Sequence, residues 1–195
     1  QAPKTDVGST GDCSGVRHFQ VTLPADANGF GAALLIADVD EDNVPELLIG
    51  APNTKGGGAV YVYSLSKSDF DQDRSPTIKR TISAPEGVNG FGSSLAIGKF
   101  DGGAKRILAI GAPTSAQDGT QNAGKIVLYR TPDLGQVVNT LTLASAESAD
   151  LLGAALTVMP FRKGYNHKEV LAASVKKGVV VFFANTTPEH ADFRK

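Results

Sequence analysis

The chain repeats a short sequence pattern at a fixed interval, and this repetition limits the folds open to it. Residues 28–31 (Asn-Gly-Phe-Gly) recur at 89–92, an offset of 61 residues, which is the distance from Phe30 to Phe91. Residues 50–52 (Gly-Ala-Pro) recur at 111–113 with the same offset. A weaker third copy starts at Leu152, again 61 residues after Phe91. A regular period of this length predicts a fold assembled from stacked copies of one small unit.

Each period contains four short segments whose composition is typical of β-strands. In the first copy they lie at about 31–38, 46–51, 58–65 and 77–83. The first two are almost continuously apolar, as expected for strands covered on both faces, and the third is rich in β-branched and aromatic residues. The second copy repeats this order, with its third and fourth strands at about 124–129 and 137–143. Four-stranded units at a fixed period predict an all-β fold of β-propeller blades.

The loop between the first two predicted strands, residues 38–46, carries closely spaced carboxylates. Asp38, Asp40, Asp42 and Glu46 occupy its first, third, fifth and ninth positions. Carboxylates at this spacing repel one another unless a cation neutralises them, and Ca²⁺ accepts about six to eight oxygen ligands in flexible geometry. We predict one structural calcium site with the ligands Asp38, Asp40, Asp42, the Val44 carbonyl and Glu46. The alternative is a solvated acidic turn, whereas an EF-hand is excluded because Ile49 occupies the twelfth position.

The order of these motifs resembles the FG-GAP repeat of integrin α-subunit β-propellers. The residues that carry the resemblance are Phe30-Gly31, the acidic loop 38–46, residues 50–52 and the Gly58-x-Val60-x-Val62 segment. It extends over about residues 17 to 184 and weakens in the third copy. The resemblance implies calcium-binding hairpin loops at one end of the blades and ligand recognition by exposed loops at the opposite end, here 53–57 and 114–123. Since integrins, some phospholipases and some lectins carry such repeats, the fold does not determine the function.

The second and third copies lack the carboxylates of the first loop. At an offset of 61 residues, the second copy has Lys99, Asp101, Gly103 and Ile107, and the third has Pro160, Arg162 and Gly164. A single carboxylate does not hold Ca²⁺, and Lys99 could place its ammonium where the ion would sit. We therefore expect one calcium site, with the second and third loops closed by turn chemistry alone.

The predicted strands do not complete a ring. The third copy offers strands at about 153–160, 169–174 and 178–184, but residues 185–190 form a poor fourth strand. Segment 16–23 precedes the first Asn-Gly-Phe-Gly as 77–83 precedes the second, so it is predicted as an outer strand that closes a blade. Three blades leave two apolar faces, which a soluble monomer rarely exposes. Either two chains form a six-bladed ring as a homodimer, or the chain is one piece of a larger propeller.

The expected domain organisation follows from these repeats. Residues 1–15 form a flexible arm, 16–185 the propeller segment, and 186–195 a C-terminal tail, with the repeats at about 28–88, 89–150 and 151–185. Cys13 stands alone, either as a free thiol or as the partner of another chain.

Composition and motifs exclude several functional classes. The net charge of −1 gives no polybasic field for nucleic acid or an anionic membrane, and the apolar runs are too short to span a bilayer. His18, His167 and His190 lack metal spacing, and Ser94 lacks the glycine that would complete a nucleophile elbow. We predict a non-enzymatic, calcium-stabilised module for protein interaction or adhesion, located outside the cytosol. The alternatives are a lectin or an accessory domain of a larger extracellular enzyme. A lectin would require Tyr61 or Tyr63 as an exposed stacking platform, whereas the simpler interpretation places both tyrosines in the sheet.

Overall fold

The computed structural model describes residues 21–67, 74–160, 169–184 and 193–194, which contain twelve β-strands in three sheets. The first sheet contains β1 (Ala33–Ala37), β2 (Glu46–Ala51), β3 (Ala59–Ser64) and β4 (Ile78–Ser83). The second contains β5 (Ser94–Gly98), β6 (Ile107–Ala112), β7 (Lys125–Arg130) and β8 (Val137–Leu141). The third contains β9 (Leu156–Pro160), β10 (Glu169–Val175), β11 (Gly178–Ala184) and β12 (Phe193–Arg194). Each sheet is antiparallel with its strands in chain order, so each is one propeller blade, as predicted.

The burial of each strand explains its composition. All six residues of β6 are buried, because this strand lies at the centre of the middle sheet and is covered on both faces. Five of the six residues of β4 are exposed, and Ile82 is its one buried residue. The same register shift occurs between β3 and β4 and between β7 and β8, where Lys79 and Val138 are the unpaired extra residues. The two repeats therefore share geometry as well as sequence.

Two hydrophobic cores lie on opposite faces of the second sheet. Leu108 and Ile110 of β6 join the core shared with the first sheet. Ile107 and Ala109 of the same strand join the core shared with the third sheet. Alternate residues of one strand thus serve two interfaces, which is why the run is apolar without interruption. The three blades stack face to face.

The repeated glycines mark close approaches between the backbones of adjacent blades. A Cβ added to Gly50 would lie 1.9 Å from the carbonyl oxygen of Gly92, and one added to Gly111 would lie 2.0 Å from that of Gly153. Within a repeat, the Gly31 amide donates to the Gly50 carbonyl at 3.0 Å, and the Gly92 amide donates to the Gly111 carbonyl at 3.1 Å. The Phe-Gly and Gly-Ala-Pro motifs therefore recur together because they meet in space.

The third blade corrects one prediction about the chain termini. A fourth strand was not expected in the third copy, yet β12 pairs with β11 through Phe183 opposite Arg194 and Ala184 opposite Phe193. At the other end, residues 21–23 of the predicted strand 16–23 form no strand; Val21 packs beside Tyr61 and Tyr63 on the first sheet. The rest of that segment lies outside the described residues, as do Cys13, His18, His167 and His190.

The two outer blade faces carry exposed apolar side chains. On the first sheet, Leu34 and Ile36 are 65% and 64% exposed, whereas their counterparts 61 residues later, Leu95 and Ile97, pack against the core between the blades. On the third sheet, Val179 is 66% exposed. Among the described residues, the three blades form an open arc, and no further blade packs on its first and last faces. In the part of the chain that the structure describes, no helix is long and apolar enough to cross a membrane.

Candidate metal centre

The hairpin between β1 and β2 brings the predicted carboxylates together. Ala37 pairs with Glu46 at its base, and the backbone turns through positive φ angles at Glu41 (63°) and Asn43 (67°). Because the side chains of interest alternate along this loop, one carboxylate oxygen from each of Asp38, Asp40 and Asp42 lies within 4.8 Å of the others. Three of the five predicted ligands therefore converge on one point.

Two oxygens of this cluster fit a metal ion. Asp38 Oδ1 and Asp40 Oδ1 are buried and have no hydrogen-bond partner among the described residues. A buried carboxylate oxygen without a partner costs more free energy than a neutral one, and such atoms are rare in native proteins. Two hydrogen bonds within the loop hold the other oxygens: Asp38 Oδ2 accepts the Asn43 amide at 3.3 Å, and Asp42 Oδ1 accepts the Val44 amide at 2.8 Å. This last bond is the main cause that lowers the pKa of Asp42.

The other two predicted ligands, Glu46 and the Val44 carbonyl, are not part of the convergent group of aspartates. Glu46 is fully buried, and its Oε2 accepts the amide of Val39 at 3.0 Å, which closes the base of the loop. Its other oxygen, Oε1, accepts a hydrogen bond from Lys79. Glu46 is not a member of the convergent group of Asp38, Asp40 and Asp42. Ligation by Glu46 and by the Val44 carbonyl remains a prediction.

Lys79 of β4 is a residue of this site that sequence reasoning missed. Its Nζ donates to Glu46 Oε1 at 3.1 Å and to Asp42 Oδ2 at 3.4 Å, and it forms an ion pair with Asp40. The hydrogen bond to Asp40 is the largest of the causes that raise the pKa of Lys79 well above its usual value. The only sequence signal was a basic residue near the start of the predicted outer strand, at the same end of the blade as the loop.

Residues of the second repeat also contact the acidic loop. Arg106 donates to the carbonyl oxygen of Asp38, and its Nη2 lies 3.8 Å from Asp38 Oδ2. Glu41 forms an ion pair with Lys105 and accepts a hydrogen bond from Thr131 Oγ1 at 3.2 Å. The hydrogen bond from Lys105 is the main cause that lowers the pKa of Glu41. The second blade therefore braces the loop of the first.

Comparisons with known proteins agree with this geometry. Residues 30–63, from the Phe-Gly motif through the acidic loop to β3, match the family model of the FG-GAP repeat. Human integrin alpha-7 is 31% identical over 165 residues, which is 80% of this chain and 13% of the integrin. The chain is an integrin-like FG-GAP repeat protein.

Two further relatives of this FG-GAP protein are another integrin and a phospholipase. Mouse integrin alpha-8 is 28% identical over 113 residues, covering 53% of the chain and 10% of the integrin. Mouse phosphatidylinositol-glycan-specific phospholipase D is 30% identical over 123 residues, covering 60% of the chain and 14% of the phospholipase. The FG-GAP protein thus spans only a small part, between 10% and 14%, of the curated relatives named here.

The second FG-GAP loop is neutralised in a different way from the one predicted. Asp101 is buried, and its Oδ1 accepts the Gly103 amide at 2.8 Å while its Oδ2 accepts Nη2 of Arg130 at 3.0 Å. The expectation of closure by turn chemistry alone is therefore wrong here, because an ion pair contributes. Lys99, whose ammonium was considered as a replacement for the ion, is exposed, and its backbone amide donates to Glu169. The third loop lies outside the described residues, apart from Pro160.

The tyrosines considered as a sugar platform lie inside the FG-GAP fold. Tyr61 is 3% exposed and Tyr63 is fully buried. Phe30 packs against both rings, and Tyr63 donates its hydroxyl to the Thr22 carbonyl at 2.8 Å. The prediction of an exposed stacking platform at these two residues is wrong, because the segment before β1 covers this part of the sheet.

Proposed function

We propose that this FG-GAP protein is a non-enzymatic interaction module whose first blade is stabilised by one Ca²⁺ in the 38–46 loop. The observation that carries the proposal is the pair of buried oxygens on Asp38 and Asp40 that have no hydrogen-bond partner in the described part of the chain and are suited to bind a cation. Oxygen ligands alone suit a hard cation such as Ca²⁺. The ligand set would be Asp38, Asp40, Asp42, the Val44 carbonyl and Glu46. The ion would neutralise the loop and fix the hairpin.

The charge around the loop favours a modest calcium affinity. Lys79 and Arg106 already offset part of the negative charge of the aspartates. Extracellular calcium modules have dissociation constants of about 10⁻⁴ to 10⁻³ M. A site in this range fills at millimolar calcium and stays empty in the cytosol. We therefore place the protein outside the cytosol, in an extracellular, periplasmic or cell-surface setting.

The loops at the opposite end of the blades are the proposed surface for a protein ligand, as in adhesion. In the 53–57 loop, Asn53 and Lys55 are exposed. In the 114–123 loop, the amides of Gln117 and Thr120 each donate to the carbonyl of the other, at 3.0 and 2.8 Å. Gln117 Nε2 also donates to the Leu143 carbonyl at 2.6 Å. These bonds hold the exposed loop in one shape, which reduces the entropy that a partner must overcome.

We propose that further FG-GAP blades cover the two exposed outer faces. Leu34 and Ile36 occupy the positions that Leu95 and Ile97 use inside the arc, so the first face is built to receive a blade. A second copy of this chain supplies both missing neighbours at once, as a twofold six-bladed ring. Light scattering tests this directly: a mass near twice 20.2 kDa supports the homodimer, and a monomer assigns the missing blades to another polypeptide segment.

Calorimetric titration tests the calcium site. We expect the native protein to bind one Ca²⁺ per chain, and Asp40→Asn to abolish binding because it removes a converging charge without changing side-chain size. Asp118→Asn is the matched control, since Asp118 is exposed in the β6–β7 loop of the second blade, at the end opposite to the calcium loop. Absence of binding by the native protein at millimolar Ca²⁺ would refute the metal site.

A second candidate is an accessory domain of a larger enzyme. The observation that favours it is the match of 60% of this chain to phosphatidylinositol-glycan-specific phospholipase D. The full coding sequence tests it, because a catalytic domain in the same polypeptide would support the accessory role. A coding sequence with no such domain would leave the interaction module as the whole function.

A further inference from the structure

We propose that Lys79 is a tethered counter-cation of the acidic loop, which stabilises the calcium-free loop and competes with Ca²⁺ for the same carboxylates. This inference rests on the proposed calcium site and names the residue that sets its affinity. The ammonium of Lys79 contacts Asp40, Asp42 and Glu46 together. Two of these three side chains belong to the group whose oxygens converge.

Glu46 explains why the calcium-free loop needs this cation. The carboxylate is fully buried, and one of its oxygens is held by the Val39 amide. Its other oxygen meets Lys79 Nζ at 3.1 Å. Removal of Lys79 would leave a buried charge with half of its hydrogen-bonding capacity unmet, and such a loss destabilises a fold strongly. Lys79 therefore keeps the base of the hairpin intact without metal.

The same contacts create competition with Ca²⁺. The ammonium contacts Asp40 Oδ2, Asp42 Oδ2 and Glu46 Oε1, so a Ca²⁺ ion would share these three carboxylates with it. Two cations held by one set of carboxylates repel each other. The Lys79 side chain is 39% exposed, so it has a path out to solvent. A cleft of about 120 Å³ lined by Asp40, Glu46, Lys79 and Arg80 lies beside the loop. Calcium entry then requires the ammonium to withdraw, and the apparent affinity falls accordingly.

The second repeat supports this role independently. Its remaining carboxylate, Asp101, is buried and is met by the guanidinium of Arg130. Arg130 lies at the end of β7, whereas Lys79 lies in β4, and the strand pairing places Val138 at the position in β8 that corresponds to Lys79. The two loops thus obtain an intrachain cation from different strands. Only the first loop keeps the carboxylates that also suit a metal.

Calcium titration of Lys79→Met, together with urea denaturation in EDTA, tests the inference. We expect the dissociation constant for Ca²⁺ to fall about tenfold or more, because one competing charge is gone. We also expect a lower urea midpoint in EDTA and recovery of that midpoint in saturating Ca²⁺. Lys79→Gln serves as a second variant in case the methionine variant folds poorly. The matched control is Lys177→Met. The ammonium of Lys177 lies 2.9 Å from Glu147 Oε2 and does not contact the acidic loop.

The outcomes separate this inference from the proposed function. If the native protein binds Ca²⁺ and Lys79→Met binds it no more tightly, competition is refuted and the calcium site stands. If only Lys79→Met binds Ca²⁺, the competition by Lys79 is supported and the proposal that the native protein binds calcium is refuted. If neither binds, both the calcium site and the competition fail. In every case, a Lys79→Met urea midpoint in EDTA equal to that of the native protein would overturn the stabilising role.

Discussion

The β1–β2 loop and the β5–β6 loop occupy equivalent positions in adjacent blades, yet they balance their charge differently. In the first, three aspartates converge, and two of their buried oxygens have no hydrogen-bond partner within the described segments. In the second, both carboxylate oxygens of Asp101 accept hydrogen bonds, one from a backbone amide and one from Arg130. The hairpins are otherwise alike, each continuing into a buried central strand. The blade scaffold therefore does not require a metal, and the loop chemistry can change without loss of the fold.

The two repeats differ in how the negative charge of each loop is balanced. The second loop carries its own counter-ion, so its stability should be independent of calcium. The first loop still has unsatisfied oxygens after Lys79 and Arg106 make their contacts. Its stability should depend on the ionic conditions. Variants of the shared scaffold should therefore behave alike in both repeats, whereas variants of the loop charges should not.

The largest effect is expected where the scaffold is shared. Gly111→Ala should lower the free energy of unfolding by about 3 kcal/mol, because its Cβ would overlap the Gly153 carbonyl, and backbone must move to relieve the clash. Gly50→Ala should have a similar effect through Gly92. Urea denaturation measures both. Gly178→Ala is the control, since a Cβ there meets nothing within 4 Å. Equal stability of Gly111→Ala and Gly178→Ala would contradict the packing model.

A smaller effect is expected at the second loop. Arg130→Met should cost about 2 kcal/mol, because it leaves the Asp101 carboxylate, only 5% exposed, without its counter-ion. Thermal or urea unfolding should show the same loss with and without calcium. The double variant Arg130→Met with Asp101→Asn should recover part of the stability, since the unpaired charge is gone. A loss that appears only in EDTA would mean that this loop also responds to metal.

The sequence predicted the scaffold well because blade packing follows local periodicity. The apolar runs placed β2 and β6, and the alternating aspartates placed the convergent group. It could not predict Lys79, Arg106 or Arg130 at the loops, because these cations arrive from strands or loops that only the folded chain brings near. The two-residue β12 was also missed, since so short a strand is defined by its pairing partner rather than by its own composition.

Calcium removal should distinguish the two loops directly. If the first loop binds Ca²⁺ with the expected affinity, EDTA should lower the free energy of unfolding by about 1 to 2 kcal/mol relative to about 5 mM Ca²⁺. This corresponds to a fall of about 2 to 8 °C in the midpoint of thermal unfolding. Asp38→Asn should lose this calcium response, whereas Asp118→Asn should keep it. A full response in Asp38→Asn would place the ion elsewhere.

The smallest effect is expected at the contact that joins the two loops. Lys105 pairs with Glu41, but the two side chains are 52% and 32% exposed, so solvent screens their attraction. Lys105→Met should change the free energy of unfolding by at most about 0.5 kcal/mol. It should also raise calcium affinity less than Lys79→Met does, because Glu41 is not among the converging carboxylates. Paired titrations of the two variants measure this difference. Equal gains in affinity would mean that the general positive field of the second blade, rather than the direct contacts of Lys79, limits calcium binding.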